Sequence, residues 1–426
     1  MFTCRLFLFC ICLVGIGPLG FSAVTVDSNK KPKRKTAQNS VTPLPQIRNS
    51  PQSQPQIKFR MNQEQISSAA LWIDRFVGEG LKKAGLEPNP PADDFVFLRR
   101  IYLDAAGRIP TDDESADFLS DKDPGKRRKL IDRLLLSDGY RSHFFNWLAD
   151  LLRHKQNVRR TSYNHYERWL KDQIALNRPW DEMVFDMLSA EGSVAQSGPA
   201  GYLLRDPGMP LDNLSNTLTI FLGANVACAQ CHDHPLADWT QREYFELAAF
   251  FGATDVSDRD PRKVGNKLRN GQLSKQDVIQ AVAPNLARVR TKSHQTLRFP
   301  DDYAYDDVKP GSRVEPLLFI WESGDEKGPA YAVDHQDPKN LRASFAQWLT
   351  HEKNPRFAAT IANRLWQRSF GLGVQEPLDD LDDLSKSANP ALLQLLGQVM
   401  VKAGFDLREF QRVLFNSRTY QAKSSV

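Results

Sequence analysis

Apolar residues recur at helical spacing through most of the chain after about residue 63, and this periodicity restricts the fold more than any other feature. Ala70, Ile73, Phe76 and Val77 form the first such face. Comparable apolar faces return in the segments 95–103, 130–136, 144–152, 163–174, 341–349, 357–370, 392–401 and 407–415. The sequence therefore predicts a mainly α fold.

The helical pattern is interrupted between residues 256 and 340. This segment is rich in Asp, Arg, Gly and Pro, and its apolar runs are short. We expect it to be irregular, with a few short strands. The prediction is thus two helical units, residues 61–255 and 341–421, joined by an irregular connecting segment at 256–340.

The first 23 residues resemble a secretory signal peptide. Arg5 precedes an apolar run over residues 6–14, and small residues at Ser22 and Ala23 suit cleavage. The run is shorter than the roughly 20 residues that span a bilayer, although a retained anchor is the alternative. We expect an exported protein, in the periplasm or at the cell surface, with no transmembrane segment after signal removal.

Residues 24–60 carry Lys, Pro, Ser, Asn and Gln with little apolar periodicity, which is typical of a disordered linker. Much of the formal net charge of +5 lies in its basic run at 30–35. Elsewhere, Lys and Arg alternate with Asp and Glu. No basic face for nucleic acid is expected.

Three of the five cysteines lie within the predicted signal, which leaves Cys228 and Cys231 for the mature protein. They are followed by His232, so the segment reads Cys-x-x-Cys-His. Two thiols at this spacing can reach the two vinyl groups on one edge of a haem, and the adjacent imidazole can ligate its iron. The pattern predicts covalently attached haem c, with His232 as the iron ligand.

Two predicted helices flank these residues. An apolar stripe from Leu211 to Leu222 indicates a helix that ends near Val226. A capping box at Thr240 and Glu243 begins the next one. Residues 227–239 should therefore form a loop held between two amphipathic helices.

Other interpretations of the same residues stay open. Cys228, Cys231, His232 and His234 are suitable ligand types for zinc, although their spacing is not that of the usual sites. A structural disulfide or redox dithiol is another alternative. Met209 is the candidate sixth iron ligand, and Trp239 could pack on the macrocycle or staple the following helix.

Four long motifs resemble a known pair of domains. Residues 98–111 (LRRIYLDAAGRIPT) and 221–251 (FLGANVACAQCHDHPLADWTQREYFELAAFF) resemble the planctomycete cytochrome-like domain of unknown function 1549. Residues 354–381 and 389–421 resemble its companion, domain of unknown function 1553, in a shortened form. The resemblance implies a large exported protein. It assigns no biochemical function, since the family's cytochrome label rests on the same Cys-x-x-Cys-His.

Three functions are compatible with these features. The first is haem-based electron transfer at the cell envelope, with an unidentified redox partner or envelope protein. The second is a non-catalytic envelope or surface interaction module, in which the Cys-His loop holds a structural metal or disulfide. The third is an oxidoreductase. No residue is assigned a catalytic role, because the sequence has no nucleophile–base signature, phosphate loop or dinucleotide fingerprint.

Overall fold

The computed structural model describes residues 59–158, 161–257, 266–267, 269–272, 274, 287–319, 329–334 and 337–424. All of them belong to one compact unit, residues 55–426. The predicted signal peptide at 1–23 and all but the last two residues of the predicted linker at 24–60 lie outside the described residues. The described fold is mainly α, as the periodicity predicts.

Helices before the Cys-His loop follow the predicted apolar segments. They are α1 (Gln63–Lys83), α2 (Asp94–Ile101), α3 (Asp112–Ser120), α4 (Lys126–Leu135), α5 (Asp138–Leu151), α6 (Asn164–Leu176), α7 (Trp180–Ser189) and α8 (Pro210–Leu222). A π-helical turn, Tyr102–Ala106, extends α2. Helix α9 (Gln241–Ala248) follows the loop.

The C-terminal helices are α10 (Leu341–Thr350), α11 (Pro355–Phe370), α12 (Pro390–Lys402), α13 (Leu407–Asn416) and α14 (Arg418–Gln421). Gly371 ends α11 in the left-handed conformation, with φ of 88°. This conformation favours glycine and ends the helix. Gly404, with φ of 61°, similarly follows α12.

The predicted capping box at Thr240 is present, and Thr111 begins α3 with a second one. Thr111 accepts a hydrogen bond from the Glu114 amide at 3.2 Å, and Glu114 accepts one from the Thr111 amide at 2.8 Å. Thr240 and Glu243 make the same pair of bonds at the same distances. These reciprocal bonds satisfy amides that a helix leaves without partners at its first turn.

The predicted end of α8 near Val226 is wrong. The helix ends at Leu222, because Gly223 takes a left-handed conformation with φ of 59°. The apolar spacing continues beyond this point for a different reason. Ala224 and Val226 are buried by tertiary packing and not on a helix face.

Short strands occupy part of the segment predicted to be irregular. Two strands precede this segment in the chain: β1 (Asn157–Val158) and β2 (Thr161–Ser162) form an antiparallel pair. Strands β3 (Gly192–Ser193), β4 (Thr254–Ser257) and β5 (Arg288–Thr291) form an antiparallel sheet in the order β3-β5-β4, with Val256 opposite Val289.

One continuous hydrophobic core includes buried side chains from both helical segments. Helix α13 packs on α1, α10 packs on α7, and α11 packs on both α12 and α8. The helices that follow the connecting segment therefore complete the core of those that precede it. Among the described helices, none combines the length and the apolarity that crossing a bilayer requires.

Buried Asn363 on α11 braces the chain that approaches the Cys-His loop. Its side-chain amide donates to the Gln375 carbonyl at 2.8 Å, and its oxygen accepts from the Val374 amide at 2.7 Å. Gln375 in turn donates to the carbonyls of Asp380 and Asp383 at 2.7 and 3.2 Å. Two buried side-chain amides, those of Asn363 and Gln375, thus fix the course of residues 374–383.

We expect Asn363→Ala to lower the free energy of unfolding by about 3 kcal/mol, because buried backbone groups lose their partners. Denaturant unfolding of the full chain measures this loss. The exposed Asn225→Ala is the matched control and should change stability by less than about 0.5 kcal/mol. Equal effects of the two substitutions would contradict the bracing role.

The pKa of Glu114 is lowered from 4.5 to about 2, chiefly by its hydrogen bond from Arg108. A carboxylate with a lowered folded-state pKa stabilises the protein above pH 4.5 and loses that contribution as the pH falls towards 2. We expect wild type to be more stable than Glu114→Gln at pH 6, with a difference that shrinks between pH 4.5 and 2. Unfolding midpoints measured across this range test the prediction, which a constant difference would refute.

Candidate functional site

The Cys-His loop begins at the left-handed Gly223, which is pressed against the C-terminal part of the chain. The Leu381 amide donates to the Gly223 carbonyl at 2.7 Å, and Ala224 pairs with Asp380 as a β-bridge. A side chain at position 223 would meet the Leu381 side chain at 2.7 Å. Both the backbone angle and this close approach therefore require glycine.

A short 3-10 turn, Ala227–Gln230, presents the two thiols. Val226 and Ala229 are fully buried and anchor the turn, whereas Cys228 and Cys231 are exposed and unpaired. The amide of Cys231 donates to the Cys228 carbonyl at 3.2 Å. The turn thus places both sulfur atoms at the surface, three residues apart.

His232 is exposed, and its Nδ1 lies 2.7 Å from the carbonyl oxygen of Asp233. A carbonyl oxygen can only accept a hydrogen bond, so Nδ1 carries the hydrogen. In the neutral ring, Nε2 then holds a free lone pair. This is the tautomer that a metal-ligating histidine needs, with the opposite nitrogen bound to an acceptor.

His234 has the opposite arrangement. Its Nδ1 accepts a hydrogen bond from the Leu236 amide at 3.2 Å, so the hydrogen of the neutral ring lies on Nε2. Its own amide donates to the Trp239 carbonyl at 2.7 Å. In this state neither ring nitrogen of His234 offers a lone pair to a metal.

Asp233 and Gln241 fix the loop, and neither role was expected from the sequence. The Asp233 carboxylate accepts from the backbone amide of Gln241 at 2.8 Å. The backbone amide of Asp233 donates to the Tyr305 hydroxyl at 2.9 Å. Buried Gln241 donates to the Gln230 carbonyl at 3.1 Å and accepts from the Ala304 amide at 3.0 Å. The chain around residue 305 thereby holds the carbonyl that orients His232.

Met209, the predicted sixth iron ligand, is the residue before α8 and is half exposed. The Tyr244 hydroxyl donates to the carbonyl of Leu211, two residues further on, at 3.0 Å. Burial raises the pKa of Tyr244 to about 12. The hydroxyl of Tyr244 therefore ties α9 to the start of α8.

Trp239 closes the loop against the C-terminal part of the chain. Its indole N–H donates to Asp382 at 2.9 Å, and its ring meets the edge of Phe319 at a centroid distance of 5.1 Å. Arg356 binds the same Asp382 oxygen at 2.8 Å. The contact with Asp382 ties Trp239 to a partner 143 residues away in sequence.

A cavity of about 550 Å³ opens beside residues 236–239. It is bounded on one side by the loop and the start of α9, and on the other by residues 355–356 and 380–386. Cys228, Cys231 and His232 do not line it. Elsewhere too, no group of three or more His, Cys, Asp or Glu side chains in the described part of the chain is arranged to hold a metal ion.

Comparison with family models identifies both helical parts. Residues 72–256 match the model described as "Protein of unknown function (DUF1549)", and residues 341–426 match "Protein of unknown function (DUF1553)". No curated protein and no solved structure matches the chain. The chain therefore belongs, through its central and C-terminal parts, to these two families of proteins of unknown function.

Proposed function

We propose that the protein is exported and binds c-type haem covalently through Cys228, Cys231 and His232, for electron transfer at the cell envelope. The observation that carries the proposal is the hydrogen bond from His232 to the Asp233 carbonyl. It commits Nδ1 as a donor and leaves Nε2 free, beside two exposed thiols. When bound, haem would supply a one-electron redox centre.

The chain's own residues supply three functions at this site. Cys228 and Cys231 would hold the macrocycle as thioethers, and their exposure leaves both sulfur atoms accessible. His232 would ligate the iron through Nε2. Asp233 and Gln241 keep the carbonyl acceptor in place, which preserves the ring orientation and raises the basicity of the ligating nitrogen.

The hydrogen bonds of the two histidines favour haem over zinc. A tetrahedral zinc site built from Cys228, Cys231, His232 and His234 needs a lone pair from each imidazole. His234 already uses the lone pair of Nδ1 for the Leu236 amide. The haem site needs only one imidazole from the loop, and His232 is the one with a free nitrogen.

Met209, the half-exposed residue before α8, is the proposed sixth ligand, because its thioether is free of the hydrophobic core. A thioether in this position would raise the reduction potential relative to a second histidine. A fully occupied iron favours electron transfer over substrate binding.

We expect the wild-type chain, exported in a host with cytochrome c maturation machinery, to keep haem after denaturing electrophoresis. The double substitution Cys228→Ala and Cys231→Ala should abolish both the peroxidase stain and the added haem mass, because no thioether can form. Intact-mass spectrometry and staining measure this. Colourless wild-type protein containing stoichiometric zinc would refute the proposal.

We expect His232→Ala to keep the covalent haem while changing its visible spectrum, because both thioethers could still form and the iron would lose the nitrogen that His232 supplies. His234→Ala is the matched control and should leave the spectrum unchanged, since Nδ1 of the neutral His234 ring accepts from the Leu236 amide and Nε2 carries the hydrogen. Spectra of both variants in the oxidised and reduced states test this. An unchanged spectrum in His232→Ala, or a larger change in His234→Ala, would contradict the assignment.

A further inference from the structure

The cavity beside the Cys-His loop has an acidic lining that the haem proposal does not use. Five carboxylates face it, against two basic side chains, Arg356 and Lys386. The five are Asp238, Glu243, Asp380, Asp382 and Asp383. Cys228, Cys231 and His232 do not line this cavity, so the cavity and the thiols are separate sites.

Three of the carboxylates already have partners. Asp382 is bound by Arg356 and by the Trp239 indole, Glu243 caps α9, and Asp383 accepts from the Ser385 amide at 2.9 Å and lies 3.8 Å from Lys386. Asp238 and Asp380 are exposed at the rim, and within the described residues their carboxylates form no hydrogen bond or ion pair. They are the groups available to a ligand.

Leu236, Trp239 and Phe319 give the same cavity an apolar wall. Leu236 has 87% of its surface exposed, more than any other large hydrophobic side chain in the described part of the chain. A wall of this kind next to two free carboxylates matches a ligand that combines methylene groups with positive charge.

A single metal ion does not match the arrangement, because the acidic groups are not gathered closely enough to coordinate one. The charge is instead spread around a space large enough for a small organic molecule. We propose that this cavity binds a linear aliphatic diamine or polyamine. Its ammonium groups contact Asp238 and Asp380, and its methylene chain lies against Leu236 and Phe319.

The site is tested with putrescine, 1,4-diaminobutane, as the probe, by calorimetric titration of the full chain. The expected results are binding that weakens with added salt and no binding of 1,4-butanediol, its neutral analogue of similar length. Asp238→Asn and Asp380→Asn should each weaken putrescine binding by about three- to fivefold, because solvated ion pairs contribute modestly.

Asp113→Asn removes the same charge from an exposed position on α3 and should leave the affinity unchanged. The variant without Cys228 and Cys231 should bind putrescine as wild type does, so this test stands apart from the haem proposal. No binding of putrescine, equal binding of the diol, or an equal loss in Asp113→Asn would overturn the inference.

Discussion

The contact of residues 378–383 with the start of the Cys-His loop is the constraint on which the site depends. Gly223 turns the chain out of α8 only because it tolerates a positive φ and leaves room for Leu381. Asp382 then joins Trp239 to Arg356. A second hydrogen bond joins the same two parts of the chain: Arg364 on α11 donates to the Thr219 carbonyl of α8 at 3.0 Å. The two segments that match the family models, residues 72–256 and 341–426, are thus in contact at the loop and share one core.

The contact between α8 and α11 is sensitive to substitution because it includes a buried charged group, Arg364. Burial lowers the pKa of Arg364, because removing the guanidinium from water disfavours its charged form. Its hydrogen bond to Thr219 offsets part of that desolvation cost. A shift of α8 would move the Thr219 carbonyl away from Arg364 and leave the buried guanidinium with fewer partners. The position of α8, and hence of the Cys-His loop, is consequently coupled to the C-terminal helices.

Helices and caps were predictable because they depend on neighbouring residues. The capping boxes at Thr111 and Thr240 and the stop at Gly371 need only a few adjacent positions, and all are present. The end of α8 was missed because Ala224 and Val226 continue the apolar spacing, although Gly223 was the available signal. Tyr305 and Asp382 could not be found, since they reach the loop across 72 and 143 residues and only the tertiary fold brings them there. The cavity is formed by the same distant segments and had no local signal.

The hydrogen bond of His232 differs from these long-range contacts in the distance that it spans along the chain. Its acceptor belongs to the very next residue, so closing it costs almost none of the entropy that a distant partner would demand. The choice of which nitrogen is protonated is therefore a property of two consecutive amino acids. The long-range contacts of Asp233 and Gln241 then only have to hold this short-range bond in place once the helices have packed.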